Sequence, residues 1–245
     1  MKPVYFISDI HLGAPSLTSE FEEKRKEQLL NFLESVAQNG SRLIIVGDLF
    51  DFWYEYRYVI PKEFFWLYAK LKELTESGMP VDYVAGNHDF YLGTFFSGPL
   101  GMRVHQDGFS EVMGGKRFLV VHGDGLALRD TGYRILKRIL RNKLTQAFIR
   151  WIHPDVGFGM AKAFSRKSRE YTTSKDFGEL DGMLLFAARK IGEGFDYVIM
   201  GHNHVPRTQQ FGAGTYINLG DWLSNFTYGV FDGGVMELLK WNIEE

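Results

Sequence analysis

The chain has no cysteine, so neither a disulfide nor a thiolate-held metal is open to it, and any metal must be held by nitrogen and oxygen. That absence fits a reducing cytosol. No apolar run approaches the roughly 20 residues of a membrane-spanning helix, which predicts a protein that is not integral to a membrane. Met1 leads straight into an apolar run at residues 3–8, leaving no room for a cleaved signal peptide. Internal repeats, low-complexity tracts and flexible linkers are missing as well. What is present is an ordinary globular composition: 245 residues, 45% hydrophobic, enough to bury a full core in one domain over 1–245.

Hydrophobic periodicity predicts strands at 3–8, 42–46 and 81–85, helices near 18–39 and 62–77, then an irregular loop rich in Phe and Gly. Segments 109–113 and 117–121, separated by Gly114 and Gly115, predict a hairpin. Three helical stretches follow over 131–192, and strands return at 196–200, 206–211, 214–218, 226–231 and 234–240. The implied fold class is α/β: a mixed two-sheet sandwich flanked by helices, with a helical cap insertion over about 126–192 within the one domain.

Five of the seven histidines fall in five short motifs, each at or just beyond the end of an apolar run. They read VYFISDIH (Asp9, His11), RLIIVGDLFD (Asp48), VDYVAGNHD (Asn87, His88, Asp89), FLVVHGD (His122) and YVIMGHNH (His202, His204). A pair of divalent ions needs an anion able to bridge both, plus neutral ligands that leave positions open. Asp48 suits the bridge, since its carboxylate has two oxygens and Gly47 before it lets the backbone turn sharply. Asp9 with His11, and His202 with His204, are each separated by one residue and can chelate from a single turn. Asn87 adds a carbonyl oxygen and His122 an imidazole. This donor set suits Mn²⁺, Fe or Zn²⁺ better than the all-oxygen shell of Ca²⁺. Taken singly, an aspartate after a strand is usually a turn or helix cap and a histidine a hydrogen-bonded structural residue. Five coincidences in one chain favour a centre, while His105 and His153, outside the motifs, read as structural.

These motifs, in this order, resemble the calcineurin-like metallophosphoesterases over nearly the whole chain. Within them the chain is similar to the UDP-2,3-diacylglucosamine diphosphatases of lipid A biosynthesis. The finer likeness rests on Asp9-Ile10-His11-Leu12-Gly13, Gly47-Asp48-Leu49-Phe50-Asp51-Phe52-Trp53, Gly86-Asn87-His88-Asp89-Phe90, Asp130-Thr131-Gly132-Tyr133 and Leu219-Gly220-Asp221-Trp222. The resemblance implies two metal ions, one held by Asp9, His11, Asp48 and His204, the other by Asp48, Asn87, His122 and His202, with Mn²⁺ as the metal. It further implies a water acidified by both cations that attacks phosphorus in line, with His88 as the catalytic partner and Asp89 fixing its tautomer. The best-known branch of the subfamily has arginine where His88 stands, and histidine is the residue of the broader superfamily. Implied substrate contacts fall on Asn87, His88, Asp130, Tyr133, Ser165 and His202. Where that branch has Asn and Lys at the next two positions this chain has Arg169 and Thr172, so Arg169 and Lys175 stand as replacements.

Net charge is only −2, yet twelve Lys or Arg face three acids between Arg129 and Lys175, so this block carries +9 and the remainder −11. From Arg134 to Trp151, Leu136, Ile139, Leu140, Leu144, Ala147, Phe148 and Trp151 recur at helical spacing against Arg134, Lys137, Arg138, Arg141 and Lys143. A basic, aromatic stretch follows at Phe158, Phe164, Arg166, Lys167, Arg169 and Tyr171. An amphipathic basic helix can simply pack on a core with a solvated face. It also suits an acylated diphosphate and an anionic membrane surface. Together with the resemblance, which implies the substrate, the expectation is a hydrolase of a lipid-linked sugar nucleotide, UDP-2,3-diacylglucosamine, cleaved to UMP and 2,3-diacylglucosamine 1-phosphate. It would work in the cytoplasm, peripherally at the inner membrane's cytoplasmic face, with no nucleic acid and no obligate protein partner. A soluble phosphodiesterase or nucleotide pyrophosphatase shares every motif. A non-enzymatic scaffold would be expected to have lost ligands, and all seven positions are filled.

Overall fold

The computed structural model describes residues 2–14, 17–127, 131–140, 142–160 and 179–242. Asp130, Ser165, Arg169, Lys175 and the basic stretch 164–171 lie outside the described residues, as does the side chain of Tyr133.

Strands β1 (Val4–Ile7), β2 (Arg42–Val46), β4 (Val81–Val84) and β6 (Arg103–His105) run parallel, and β12 (Thr227–Phe231) and β13 (Met236–Lys240) continue the sheet antiparallel beyond β1. A second sheet has the order β10 (Arg207–Phe211), β11 (Gly214–Asn218), β9 (Tyr197–Met200), β8 (Lys116–Val120), β7 (Phe109–Met113), with β11, β9 and β8 parallel. Its β7–β8 pair is the hairpin that Gly114 and Gly115 predict.

Alternation along each strand sets the layers. Phe6, Ile44, Val46 and Val84 point into the space between the sheets, where Phe118, Val120, Ile199 and Ile217 meet them. The intervening Ile7, Leu43, Ile45 and Tyr83 point outward onto helices α1 (Ser19–Asn39) and α2 (Phe65–Glu76). Helix α1 starts where the Thr18 hydroxyl accepts from Phe21 N, and its Leu29, Phe32, Leu33 and Val36 form one buried stripe at helical spacing. On the far side, Met183 and Ala187 of α6 (Glu179–Gly192) cover Val198, Met200 and Tyr216. The order is helices, sheet, sheet, helix, as expected for the two-sheet sandwich.

Between β8 and β9 lie α3 (Thr131–Leu140), α4 (Lys143–Ile149), α5 (154–160) and α6. The single amphipathic helix expected over 134–151 is two helices. Asn142 breaks it because its side chain caps α4, accepting from Leu144 N at 2.9 Å. Nor is its apolar stripe buried: Ile139, Leu144, Phe148 and Trp151 are exposed, Trp151 to 90%. The predicted irregular loop contains β6 and β5 (Asp89–Tyr91), and β5 pairs with β3 (Trp53–Tyr54), which lies between β2 and α2, in a two-stranded ribbon. Strands of two or three residues are too short to show a period of two.

At the strand ends remote from the five motifs, the sheets are tied by charge. Asp82 of β4, fully buried, accepts from Arg42 Nε and pairs with His105 Nε2, both at 2.7 Å, while Arg42 reaches Glu111 on β7 at 2.8 Å. His105 is thus structural, as expected. Replacing Asp82 by alanine takes the fully buried partner from Arg42, leaving it only the more exposed Glu111, so a stability loss of about 3 kcal/mol is expected. Urea unfolding measures this, and metal binding should be unchanged.

Candidate metal centre

The five motifs all emerge at carboxyl ends of parallel strands: Asp9 and His11 after β1, Asp48 after β2, Asn87 and His88 after β4, His122 after β8, His202 and His204 after β9. In open parallel sheets this is the rim where ligands bind. Backbone bonds lock the loops together. The amides of Ile10 and His11 both donate to Asp48 C=O at 3.0 Å, Gly201 N donates to His122 C=O at 3.0 Å, and Trp222 N to Asp9 C=O at 3.1 Å.

The turns are strained. Among the described residues, six non-glycine residues have positive φ, and five of them are Asp9, His11, Asp48, His202 and His204. This left-handed backbone is rare outside glycine and gathers where side chains must be aimed. Close approach is the second device. A Cβ on Gly47 would collide with the His122 ring, and one on Gly201 with the Asp9 carboxylate and Ser8.

The side chains form two adjoining clusters. In the first, Asp9 Oδ1 lies 3.3 Å from His204 Nε2 and 3.6 Å from His11 Nε2. In the second, His122 Nε2 lies 3.2 Å from Asp48 Oδ2 and 3.0 Å from Asn87 Oδ1, with His202 in the same group. Asp48 Oδ2 is also 3.8 Å from His11 Nε2, so its carboxylate stands between the clusters. Asp9, His11, Asp48 and His122 are buried, and Asp9 Oδ1 and His11 Nδ1 have no hydrogen-bond partner. Buried polar atoms are normally satisfied, and Asp9 Oδ1 is the orphan that faces His11 Nε2 and His204 Nε2, so an unpaired oxygen beside two imidazole nitrogens fits a cation. His122 Nδ1 lies 2.8 Å from Val46 C=O, which sets the tautomer that leaves Nε2 free as a ligand.

Electrostatics follow from this packing. Burial alone would raise the Asp9 and Asp48 carboxyls, yet the surrounding histidines hold both below the usual carboxylate range. Burial opposes a charged His122, but Asp48 outweighs it and pushes the imidazole up to about 10.

His88 is placed beside both clusters, its ring edge-on to His11 with centroids 4.7 Å apart. Its orienting partner is not Asp89. His88 Nδ1 faces Asp51 C=O at 2.5 Å, while the Asp89 carboxylate accepts from Tyr83 Oη at 2.5 Å, Gly86 N at 2.8 Å and Asp48 N at 3.2 Å. Asp89 points down into the core and braces the turns. Burial, then the nearby Asp48 charge, raises it to about 6.

Sequence reasoning missed Arg25, a buried guanidinium on α1. It donates to Ile10 C=O between Asp9 and His11, to Trp222 C=O at 2.9 Å, and to Glu22. A basic residue in a charged helix gives no sequence sign of this. Asp51 and Asp221 could have been noticed as acids within the motifs. Asp51 Oδ1 is 3.8 Å from His11 Nδ1, and Asp221 Oδ2 is 4.0 Å from His204 Nδ1. His153 is exposed, 3.8 Å from Asp155, and takes no part.

The sequence matches the calcineurin-like phosphoesterase family over residues 2–206. The chain belongs to that family. This phosphoesterase is a metal-dependent hydrolase of phosphoric esters, and the fold class and resemblance stand. It is 30% identical over 253 aligned residues, 96% of each chain, to a UDP-2,3-diacylglucosamine hydrolase of Porphyromonas gingivalis. It is 31% identical to proteins of the same name from Haemophilus ducreyi, over 91% of this chain and 92% of the relative, and Neisseria meningitidis serogroup B, over 92% of each. A solved archaeal phosphodiesterase shares the fold at TM-score 0.50 and 14% identity, covering 97% of this chain and 98% of that one.

Two outcomes are expected of the phosphoesterase. Replacing Arg25 by methionine strands Glu22 and two loop carbonyls, for a loss of about 3 kcal/mol in urea unfolding. With His122 raised to about 10, the imidazole is protonated at pH 7 and must lose its proton to take up a metal. Metal binding should therefore release protons and tighten with rising pH. Calorimetry of Mn²⁺ binding in two buffers of unequal ionisation enthalpy measures the release, and identical heats would contradict it.

Proposed function

We propose that this phosphoesterase hydrolyses the diphosphate of UDP-2,3-diacylglucosamine, giving UMP and 2,3-diacylglucosamine 1-phosphate. The observation that carries the chemistry is the pair of adjoining, largely buried ligand clusters with the Asp48 carboxylate between them. The substrate reading is supported by the three relatives, matched over nine-tenths or more of their length. We assign one divalent ion to Asp9, His11, Asp48 and His204 and the other to Asp48, Asn87, His122 and His202, with Mn²⁺ as the metal. When bound, such ions neutralise phosphate oxygens and acidify a water.

The chain's own groups do the rest. With Nδ1–H donated to Asp51 C=O, His88 keeps Nε2 for the phosphoryl group or the leaving oxygen. The peptide N–H of His88 donates to Asp48 Oδ1 at 2.9 Å, so the catalytic imidazole and the shared carboxylate move as one unit. Asp89 acts as a brace. Helices α3 to α5 form the cap, and Asp130, Tyr133, Ser165, Arg169 and Lys175 stand as its substrate contacts.

Among the described residues no helix is long and apolar enough to cross a membrane. The exposed Leu144, Phe148 and Trp151, beside the exposed Arg138 and Arg150, suit the surface of an anionic membrane, and we place the protein at the cytoplasmic face on that ground.

Asp48→Ala and His122→Ala are each expected to lower Mn²⁺-dependent turnover of this lipid by more than about a hundredfold with the fold retained by circular dichroism. Comparable activity in both variants would remove the metal assignment. Faster turnover of a dinucleotide or bis(p-nitrophenyl) phosphate than of the lipid would instead favour a soluble phosphodiesterase. For the surface, Phe148→Ser with Trp151→Ser should weaken co-sedimentation with phosphatidylglycerol vesicles about tenfold or more, since each large apolar side chain contributes about 1.5–3 kcal/mol when buried.

A further inference from the structure

Among the described residues, helices α3 to α5 touch the core at two places, and each lies beside a ligand motif. On one side, Lys137 Nζ of α3 pairs with Asp124 Oδ2 at 2.5 Å, and Asp124 follows ligand His122 by two residues. On the other, the β3–β5 ribbon next to His88 receives α4 and α5. Tyr54 Oη donates to Gln146 C=O at 2.7 Å, Arg150 Nη2 donates to Tyr91 Oη at 2.5 Å, and the Phe158 ring meets Phe52 edge-on with centroids 5.6 Å apart.

The two attachments differ in kind. The ribbon side is an aromatic surface, with Tyr56 also against Phe158. On the α3 side, among the described side chains, Ile135 and Ile139 are 56% and 52% exposed and Leu140 is half-buried, and the contact that reaches the core is the ion pair. The Asp124 side chain is only 6% exposed and Lys137 27%, so this pair is shielded from solvent far more than a surface ion pair. Both residues also line a cavity of about 190 Å³ that reaches His122 and is lined as well by Gln106, Asp107 and Phe186.

From this we infer that the Asp124–Lys137 ion pair is a positioning and specificity-determining device: it holds α3 beside the His122 motif and so fixes where the cap stands, relative to the metal centre, for a substrate that must contact both. Neither residue acts on phosphorus. The inference rests on the substrate reading above for its effect on specificity, while the tie itself is a statement about the protein alone.

The test is a double-mutant cycle of Lys137→Met, Asp124→Asn and the double variant, all Mn²⁺-loaded. Two readouts are taken: amide hydrogen exchange of residues 131–140, and kcat and KM on UDP-2,3-diacylglucosamine and on bis(p-nitrophenyl) phosphate. Each single variant is expected to speed exchange in α3 and to raise KM for the lipid about tenfold, with Lys137→Met leaving kcat on the small ester within about twofold. The double variant should be no worse than the poorer single one, because one tie is broken only once. Additive losses, unchanged exchange in α3, or an equal fall of kcat on both esters in Lys137→Met would overturn the inference, the last by placing Lys137 on the phosphoryl group. A wild-type protein that does not turn over the lipid would refute the substrate reading instead, and the exchange cycle would still decide the tie.

Discussion

Everything near the centre is arranged around one residue, Asp48. Its C=O receives the amides of Ile10 and His11, its N–H donates to Asp89, and its carboxylate takes the amide of His88 and faces His122 and His11. Three of the five loops are thereby set by one residue's six bonding directions. Because Asp48 ends a strand buried on both faces, those loops inherit the rigidity of the sheet. The cost appears at the backbone, where Asp48 itself and four other ligand candidates adopt positive φ. Strain of that kind persists only when the surroundings overdetermine it, and Asp48's bonds are those surroundings.

The glycines explain how so many polar groups share so little volume. Gly47 and Gly201 each stand where a methyl group would strike a ligand, His122 in one case and Asp9 in the other. Each precedes a positive-φ residue, Asp48 or His202, so absence of a Cβ and reversal of the chain act at adjacent positions. The Gly-Asp and Gly-His pairs of the motifs are therefore a backbone requirement as much as a chemical one.

Much of this was legible in the sequence, and what was not has identifiable causes. The β2 bounds, the β7–β8 hairpin and the five strand-end motifs were readable because apolar runs, turn glycines and ligand-type residues are local signals. The β3–β5 ribbon was not, since its strands are short and its partners are distant in sequence: Tyr54 Oη donates to Gln146 C=O of α4, and the Phe158 ring of α5 meets Phe52 and Tyr56 beside β3. Asn142 was readable as a helix cap but lay inside a continuous amphipathic pattern that hid the break. Asp89 illustrates the opposite error. Adjacency to His88 invited a dyad, yet successive residues in a strand point to opposite sides, and β5 begins at Asp89. Tyr83 and two backbone amides claim its oxygens instead.

Charge accounting links the centre to its surroundings. Only Asp9 and Asp48 among the assigned ligands are anionic, so two divalent ions would leave the inner shell with an excess of two positive charges. A diphosphate is attracted by that excess, and too large an excess would hold the product. Three further buried carboxylates moderate it from just outside: Asp51 behind His11, Asp221 behind His204 and Asp124 beyond His122. Two of the three are in turn restrained. Arg25 lies close enough to Asp51 and Asp221 to feel both charges, and Lys137 pairs with Asp124. The charges around the centre thus alternate outward, and on the His122 side the ion pair with Lys137 joins the buried Asp124 carboxylate to α3, so that helix is tied to the surroundings of the ligands by charge.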